Sequence, residues 1–177
     1  MDFNLLKVSE GNVPRIIFVA SESHRNPKSF DWDAFGNYKS YAMGKTVELY
    51  GYYKLLLTTF ANELSRRLNA GDQLKYSVFV LCPGPINSNI ARESPVIFKP
   101  LLKLVFGIFF RSPAVAVQPV VYFASSQEVK DRTIDYLFLM SRKEMDAKAS
   151  DHLNGEKLWT LSEALLQKHG IVFQESI

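Results

Sequence analysis

Residues 46–68 read TVELYGYYKLLLTTFANELSRRL, and this stretch decides the fold. At helical spacing Leu57, Phe60, Ala61, Leu64 and Leu68 form one apolar stripe, so an amphipathic helix is predicted over Thr46 to Leu68. Glu63, Arg66 and Arg67 lie off the stripe and are expected on a solvated face. Asn69-Ala70-Gly71-Asp72 supplies the stop. Upstream, Arg15 to Ala20 (RIIFVA) is an apolar run led by a charge and is expected as a strand buried on both faces. Downstream, Tyr76 to Leu81 (YSVFVL) is expected as a second buried strand, closed by Cys82-Pro83-Gly84-Pro85. Strand, helix and strand in this order make a parallel crossover unit, which puts the chain in the α/β class.

Around this unit the pattern is less regular. Ser21 to Gly44 is polar and turn-rich and reads as a loop. Pro95 to Phe110 is apolar with Lys99 and Lys103 on one side, which predicts an amphipathic helix. Ala114 to Ser125 is expected as a further helix in spite of Pro119. Asp135 to Met140 reads as a third, short strand, and Gly155 to Lys168 as a terminal helix with Trp159 and Leu166 toward the body. No internal repeat or low-complexity tract is present.

The 177 residues suffice for one domain with a real core, and 47% hydrophobic with 22% charged residues is ordinary for a soluble globular chain. The net charge is +3, and Lys and Arg are scattered rather than striped, which gives no nucleic-acid footprint. Cys82 is the single cysteine, so no internal disulfide and no cysteine-built metal site is expected; a packed small residue is. His24 reads as a loop residue rather than a metal ligand. The start, MDFNLLKVSEGN, lacks the basic and apolar regions of a signal peptide. No run reaches the ~20 apolar residues of a membrane span. The expected location is the cytoplasm.

Tyr50 and Lys54 carry the chemistry. Four residues apart on a helix, they share one face. An ammonium there favours phenolate, and a tyrosine beside a fixed cation can exchange a proton with a carbonyl or alcohol oxygen. The plainer alternative is a surface tyrosine and a solvated lysine. Tyr41 and Lys45 have the same spacing, but a helical pattern continues directly only from Lys54.

The order RIIFVAS, then YGYYK, then a strand ending in PGPINS resembles the C-terminal half of a short-chain dehydrogenase/reductase. Ser21-Glu22-Ser23-His24-Arg25, the helix KLLLTTFANELSRRL, and Leu158-Trp159 with Ser162-Glu163 are similar to the retinol-dehydrogenase and WW-domain-containing-oxidoreductase branch. The likeness runs from Arg15 to about Gly170. It implies a Rossmann-like parallel sheet with flanking helices, and NAD or NADP as cofactor. By resemblance Ser21 is the serine that bonds the substrate carbonyl, Tyr50 the general acid/base, and Lys54 the lysine that tunes the tyrosine and holds the nicotinamide ribose. Pro83, Gly84, Ile86 and Ser88 match the loop that packs on the nicotinamide. Ser21 and Pro83 both follow strand ends, where open parallel sheets place ligands.

The chain departs from the family pattern in several places. Ala20-Ser21 stands where the family usually has Ser-Ser, and Tyr53 where it has a small polar residue. Cys82 stands where relatives often carry histidine. No glycine-rich dinucleotide turn occurs, and the family's catalytic asparagine would fall before Met1. Residues 1–177 are therefore expected to form a single partial domain, the catalytic and substrate-binding half without the N-terminal nucleotide-binding strands. The strand at Ile16 to Val19 would then show an apolar edge that invites association, with a second copy or with a partner supplying the missing half. A truncated gene product or isoform, an excised piece, or a natural half-domain would each explain this.

The resemblance implies interconversion of an alcohol and a ketone or aldehyde by hydride transfer, on a small lipophilic substrate such as a retinoid or steroid. The alternative is a catalytically inactive relative that acts by binding a partner chain. A third reading places Val96–Phe110 on an intracellular membrane surface, its lysines at the headgroups.

Overall fold

The computed structural model describes residues 13–37, 45–71, 75–86 and 111–171. Its centre is a sheet of four strands in sequence order: β1 (Arg15–Val19), β2 (Ser77–Cys82), β3 (Ile134–Phe138) and β4 (Ser141–Arg142). β1 and β3 pair parallel to β2, and β4 returns antiparallel on β3. Helix α1 (Thr46–Leu68) makes the crossover from β1 to β2, as the residue pattern predicts.

All six residues of β2 are buried, and their alternation builds two cores. Val78, Val80 and Cys82 face Ala61, Leu64 and Leu68 of α1. Phe79 and Leu81 face the opposite layer, where the Phe79 ring stacks on Phe123 at 4.4 Å between centroids. Each fully buried side chain of this kind contributes about 1.5–3 kcal/mol. Helices therefore cover both faces of an open sheet.

β1 corrects one expectation. It is a sheet edge, half-buried rather than buried on both faces, and Val19 is 49% exposed. Among the described residues no strand pairs with its outer side. A second correction concerns α1. Glu63, expected in solvent, is only 2% exposed, because the terminal helix packs over it. Its carboxylate accepts from Arg66 Nε at 3.0 Å and Arg67 Nε at 2.7 Å, and Arg67 lies over the Trp159 ring. A buried carboxylate requires such partners.

Ala114 to Ser125 is not one helix. It divides into α2 (Pro113–Ala116) and α3 (Gln118–Ser125), with Val117 ending one and opening the other. Pro119 has no N–H to continue the ladder and sits in the first turn of α3, where none is needed. The third strand ends at Phe138. Leu139 then enters the left-handed region at φ 59° and turns the chain into β4, which sequence pattern did not reveal. The last helix starts earlier than expected. α4 (Ala147–Ser150) and α5 (His152–Lys168) are capped by the side chains of Asp146 and Asp151. Trp159 stacks on Phe60 at 5.5 Å, as a body-facing residue should, and Leu158 is the more deeply buried neighbour. The helix expected over Pro95 to Phe110, the N-terminal residues 1–12 and Tyr41 lie outside the described residues.

The stretch after β1 is not plain loop. Glu22–Arg25 forms one 3-10 turn, seated against α1 at Gly51. A Cβ on Gly51 would stand 2.9 Å from the Ser23 carbonyl oxygen, so no larger residue fits without moving the turn. His24, expected as a loop residue, is fully buried. Its Nδ1 lies 2.7 Å from the Ser21 carbonyl, and its Nε2 accepts the Asp146 N–H at 3.2 Å. Nδ1 must therefore carry the proton. Tyr136 of β3 packs edge-on against the imidazole and donates its hydroxyl to Glu22, which also pairs with Arg25 and Lys143. Burial raises the Tyr136 phenol far above its ordinary value, and the Glu22 carboxylate adds to that.

Two outcomes are expected. Gly51→Ala lowers the thermal midpoint, although alanine is the better helix former by about 1 kcal/mol, because the turn must shift. An unchanged or raised midpoint would contradict the close approach. For His24, burial holds the imidazole below its ordinary value, with Arg25 acting in the same direction and the Ser21 carbonyl, Glu22 and Asp146 opposing. The unfolded chain, titrating near ~6.5, then binds more protons as pH falls. The contribution of neutral His24 to stability is full above that pH and is lost as pH falls toward the folded value. Denaturant midpoints at stepped pH read this slope, and His24→Asn should flatten it.

Candidate active site

The C-terminal ends of β1 and β2 lie side by side because the strands are parallel and in register, Val19 opposite Leu81. Ala20 extends the pairing by donating to Leu81 O at 2.7 Å. Ser21 follows β1, and Pro83 and Gly84 follow β2, so the structure brings these residues to one edge of the sheet.

α1 delivers the other two. Tyr50 and Lys54 share its first turns, and Lys54 Nζ stands 5.6 Å from the centre of the Tyr50 ring. Lys54 also donates to Val19 O at 2.9 Å, which ties the helix to the end of β1. Burial lowers the Lys54 ammonium below its ordinary value, against a smaller opposing effect from Cys82. Tyr50 is 48% exposed and open to solvent beside this cation. Lys45 precedes α1 as its cap, so it is not on the helical face that Tyr50 and Lys54 share. Tyr53, a departure from the family pattern, turns its ring edge toward Tyr52, whose hydroxyl donates to Asp31 O at 3.0 Å.

Gly84 has φ 75°, and a Cβ there would meet Leu139 Cδ2 at 2.5 Å. The left-handed backbone is what favours glycine here, and the end of the Leu139 side chain would have to move aside for a Cβ. Ile86 forms a parallel bridge with Arg111, whose N–H donates to Pro85 O at 2.9 Å. The chain therefore returns to the end of this loop before entering α2. Ser88 and the segment Val96–Phe110 lie outside the described residues. Cys82 is buried at the end of β2, as a packed small residue.

Sequence reasoning missed the groups that hold this edge in place: Gly51, Ser23, Glu22, His24 and Tyr136. The cluster Ser21-Glu22-Ser23-His24-Arg25 was visible as a string. Its partners on β3 and before α4 are more than a hundred residues away, and no local pattern links them. Among the described residues no helix is long and apolar enough to cross a membrane.

No protein-family model matches the chain. Retinol dehydrogenase 14 of Homo sapiens is 32% identical over 164 residues, 92% of this chain and 47% of that protein. Retinol dehydrogenase 13 of Homo sapiens is 28% identical over 125 residues, covering 68% of this chain and 37% of its own length. A short-chain dehydrogenase/reductase of Armillaria gallica is 27% identical over 126 residues, 68% of this chain and 39% of its own. An α/β sheet with parallel strands and helices on both faces, carrying this arrangement at its C-terminal edge, agrees with that kinship. In sequence and fold the chain is similar to short-chain dehydrogenase/reductases of the retinol-dehydrogenase-like branch, and it spans about half the length of the curated relatives it matches.

Proposed function

We propose that the chain carries the proton-transfer half of an NAD(P)-dependent oxidoreductase that interconverts an alcohol and a ketone or aldehyde. The observation that carries this reading is the tether of Lys54: one of its three N–H donors goes to Val19 O at 2.9 Å, while the ammonium stays beside Tyr50. Two donors remain for a ligand. That fits the ribose hydroxyls of a nicotinamide nucleotide, with Pro83, Gly84 and Ile86 against its ring and, by resemblance, Ser88 as a further ligand. When bound, the nucleotide supplies or accepts hydride. The pyrophosphate end is not assigned to residues of this chain, since no glycine-rich turn is present.

The chain's own residues do the rest. Ser21 donates a hydrogen bond to the substrate oxygen and polarises it. Tyr50 moves the proton to or from that oxygen. Lys54 keeps a positive charge beside the phenol and orients the nucleotide. A tyrosine acting this way contributes about 10²–10⁴ to the rate. Relatives named retinol dehydrogenases support a small lipophilic alcohol or carbonyl compound, retinoid-like, as the substrate class. The outer side of β1, on which no strand of the described residues pairs, supports association with a second copy or with a chain supplying the nucleotide-binding half.

The test is NADH and NADPH binding to the 177-residue chain, read by nucleotide fluorescence. Micromolar binding is expected, weakened about 10-fold or more by Lys54→Ala, the worth of a charged hydrogen bond. Tyr50→Phe should leave binding within about 3-fold but remove turnover of lipophilic alcohols by about 100-fold or more. A folded chain that binds neither nucleotide would overturn the proposal.

A further inference from the structure

We infer that Ser23 is a positioning residue that turns the Ser21 hydroxyl into a dedicated donor, an inference that rests on the role proposed for Ser21. A serine hydroxyl has one proton to give and room to accept two. The Ser23 N–H donates to Ser21 Oγ at 3.3 Å, and the two hydroxyl oxygens stand 2.7 Å apart. With the proton between them on Ser23, both acceptor positions of Ser21 go to this one neighbour. The main chain of Ser21 is committed as well, its carbonyl taking the His24 N–H at 3.1 Å and His24 Nδ1 at 2.7 Å. What Ser21 has left is its own O–H. Polarising a carbonyl oxygen needs a donor already aimed and unable to act as an acceptor instead. With the opposite polarity, Ser21 giving its proton to Ser23, the substrate oxygen would meet a lone pair and be repelled.

Ser23 is itself held for this task. Its carbonyl accepts the Asn26 N–H at 3.1 Å and rests against Gly51, one residue from Tyr50. The 3-10 turn thus carries a short hydroxyl relay, Ser23 to Ser21 to substrate, fixed against the helix that carries the proposed acid/base. Cooperative polarisation makes the last O–H of such a relay a better donor than an isolated serine.

Two measurements test this. In steady-state kinetics Ser23→Ala should lower kcat about 10-fold with KM nearly unchanged, the worth of one hydrogen bond. Ser23→Thr, which keeps the hydroxyl, should restore it. In a Ser21→Ala background, Ser23→Ala should cost less than about 2-fold more, because Ser23 acts only through Ser21. Losses that add in the double variant, or a threonine that fails to rescue, would overturn the inference. The second measurement does not depend on turnover. Hydroxyl hydrogen exchange at Ser21 and Ser23, read from the solvent-isotope shift of each ¹³Cβ signal, reports which proton is bonded. Slow exchange at Ser23 with fast exchange at Ser21 is expected. Slow exchange at Ser21 with fast exchange at Ser23 would reverse the relay and refute the proposal even in a chain that shows no turnover. A chain with the expected exchange pattern and no nucleotide-dependent turnover would sink the catalytic reading while leaving the polarity of the hydroxyl pair standing.

Discussion

The parallel pairing of β1 with β2 is the constraint on which the rest depends. Parallel neighbours cannot be joined by a tight turn, so the chain must cross over, and α1 is the crossover. The same geometry puts the C-terminal ends of both strands on one edge. Ser21 and Pro83 are thereby neighbours at the place where the helix presents Tyr50 and Lys54. The bond from Lys54 to Val19 O then closes the helix onto the strand end it has crossed from. A site of this kind is a by-product of sheet topology before it is anything chemical.

The polar network behind that edge solves a different problem. A turn following an edge strand has few apolar contacts to fix it. Here it is fixed by polar groups that each find partners: buried His24 between Ser21 and Asp146, and half-buried Glu22 between Tyr136, Arg25 and Lys143. Hydrogen bonds from these three hold the Glu22 carboxyl below its ordinary range although burial works against it. Left unpaired in the same place, either group would be costly, so the network tolerates little variation in the position of the Ser21 turn. Gly51 lets the turn approach α1 closely, and Gly84 does the same for Leu139 across the loop after β2. Two missing Cβ atoms thus help set the shape of the site.

Much of this was legible in residue order. The apolar runs at Arg15–Ala20 and Tyr76–Leu81, with a periodic helix between them, predict the crossover correctly. Tyr50, Lys54, Ser21 and Pro83-Gly84 stand out as candidates on spacing and likeness. The errors share a cause. Glu63 reads as solvated but is buried, and His24, read as a loop residue rather than a metal ligand, lies buried in a turn. Both are covered by segments distant in sequence: α5 for Glu63 and the stretch entering α4 for His24. Burial is a property of the packed chain, and helical periodicity reports only the face a helix turns toward its principal neighbour. The break at Val117 was available in principle, since Pro119 cannot serve inside a helix.

The sequence by itself determined the elements, their order and the parallel crossover, because periodicity and strand-helix-strand connectivity are local properties governed by backbone geometry. It also singled out Ser21, Tyr50 and Lys54 as candidates for the site. Only the tertiary structure decided how those side chains are held. The tether of Lys54, the seat at Gly51 and the burial of His24 depend on distances between segments up to about 120 residues apart. Those distances come from close packing of the sheet against its helices, which no local pattern encodes.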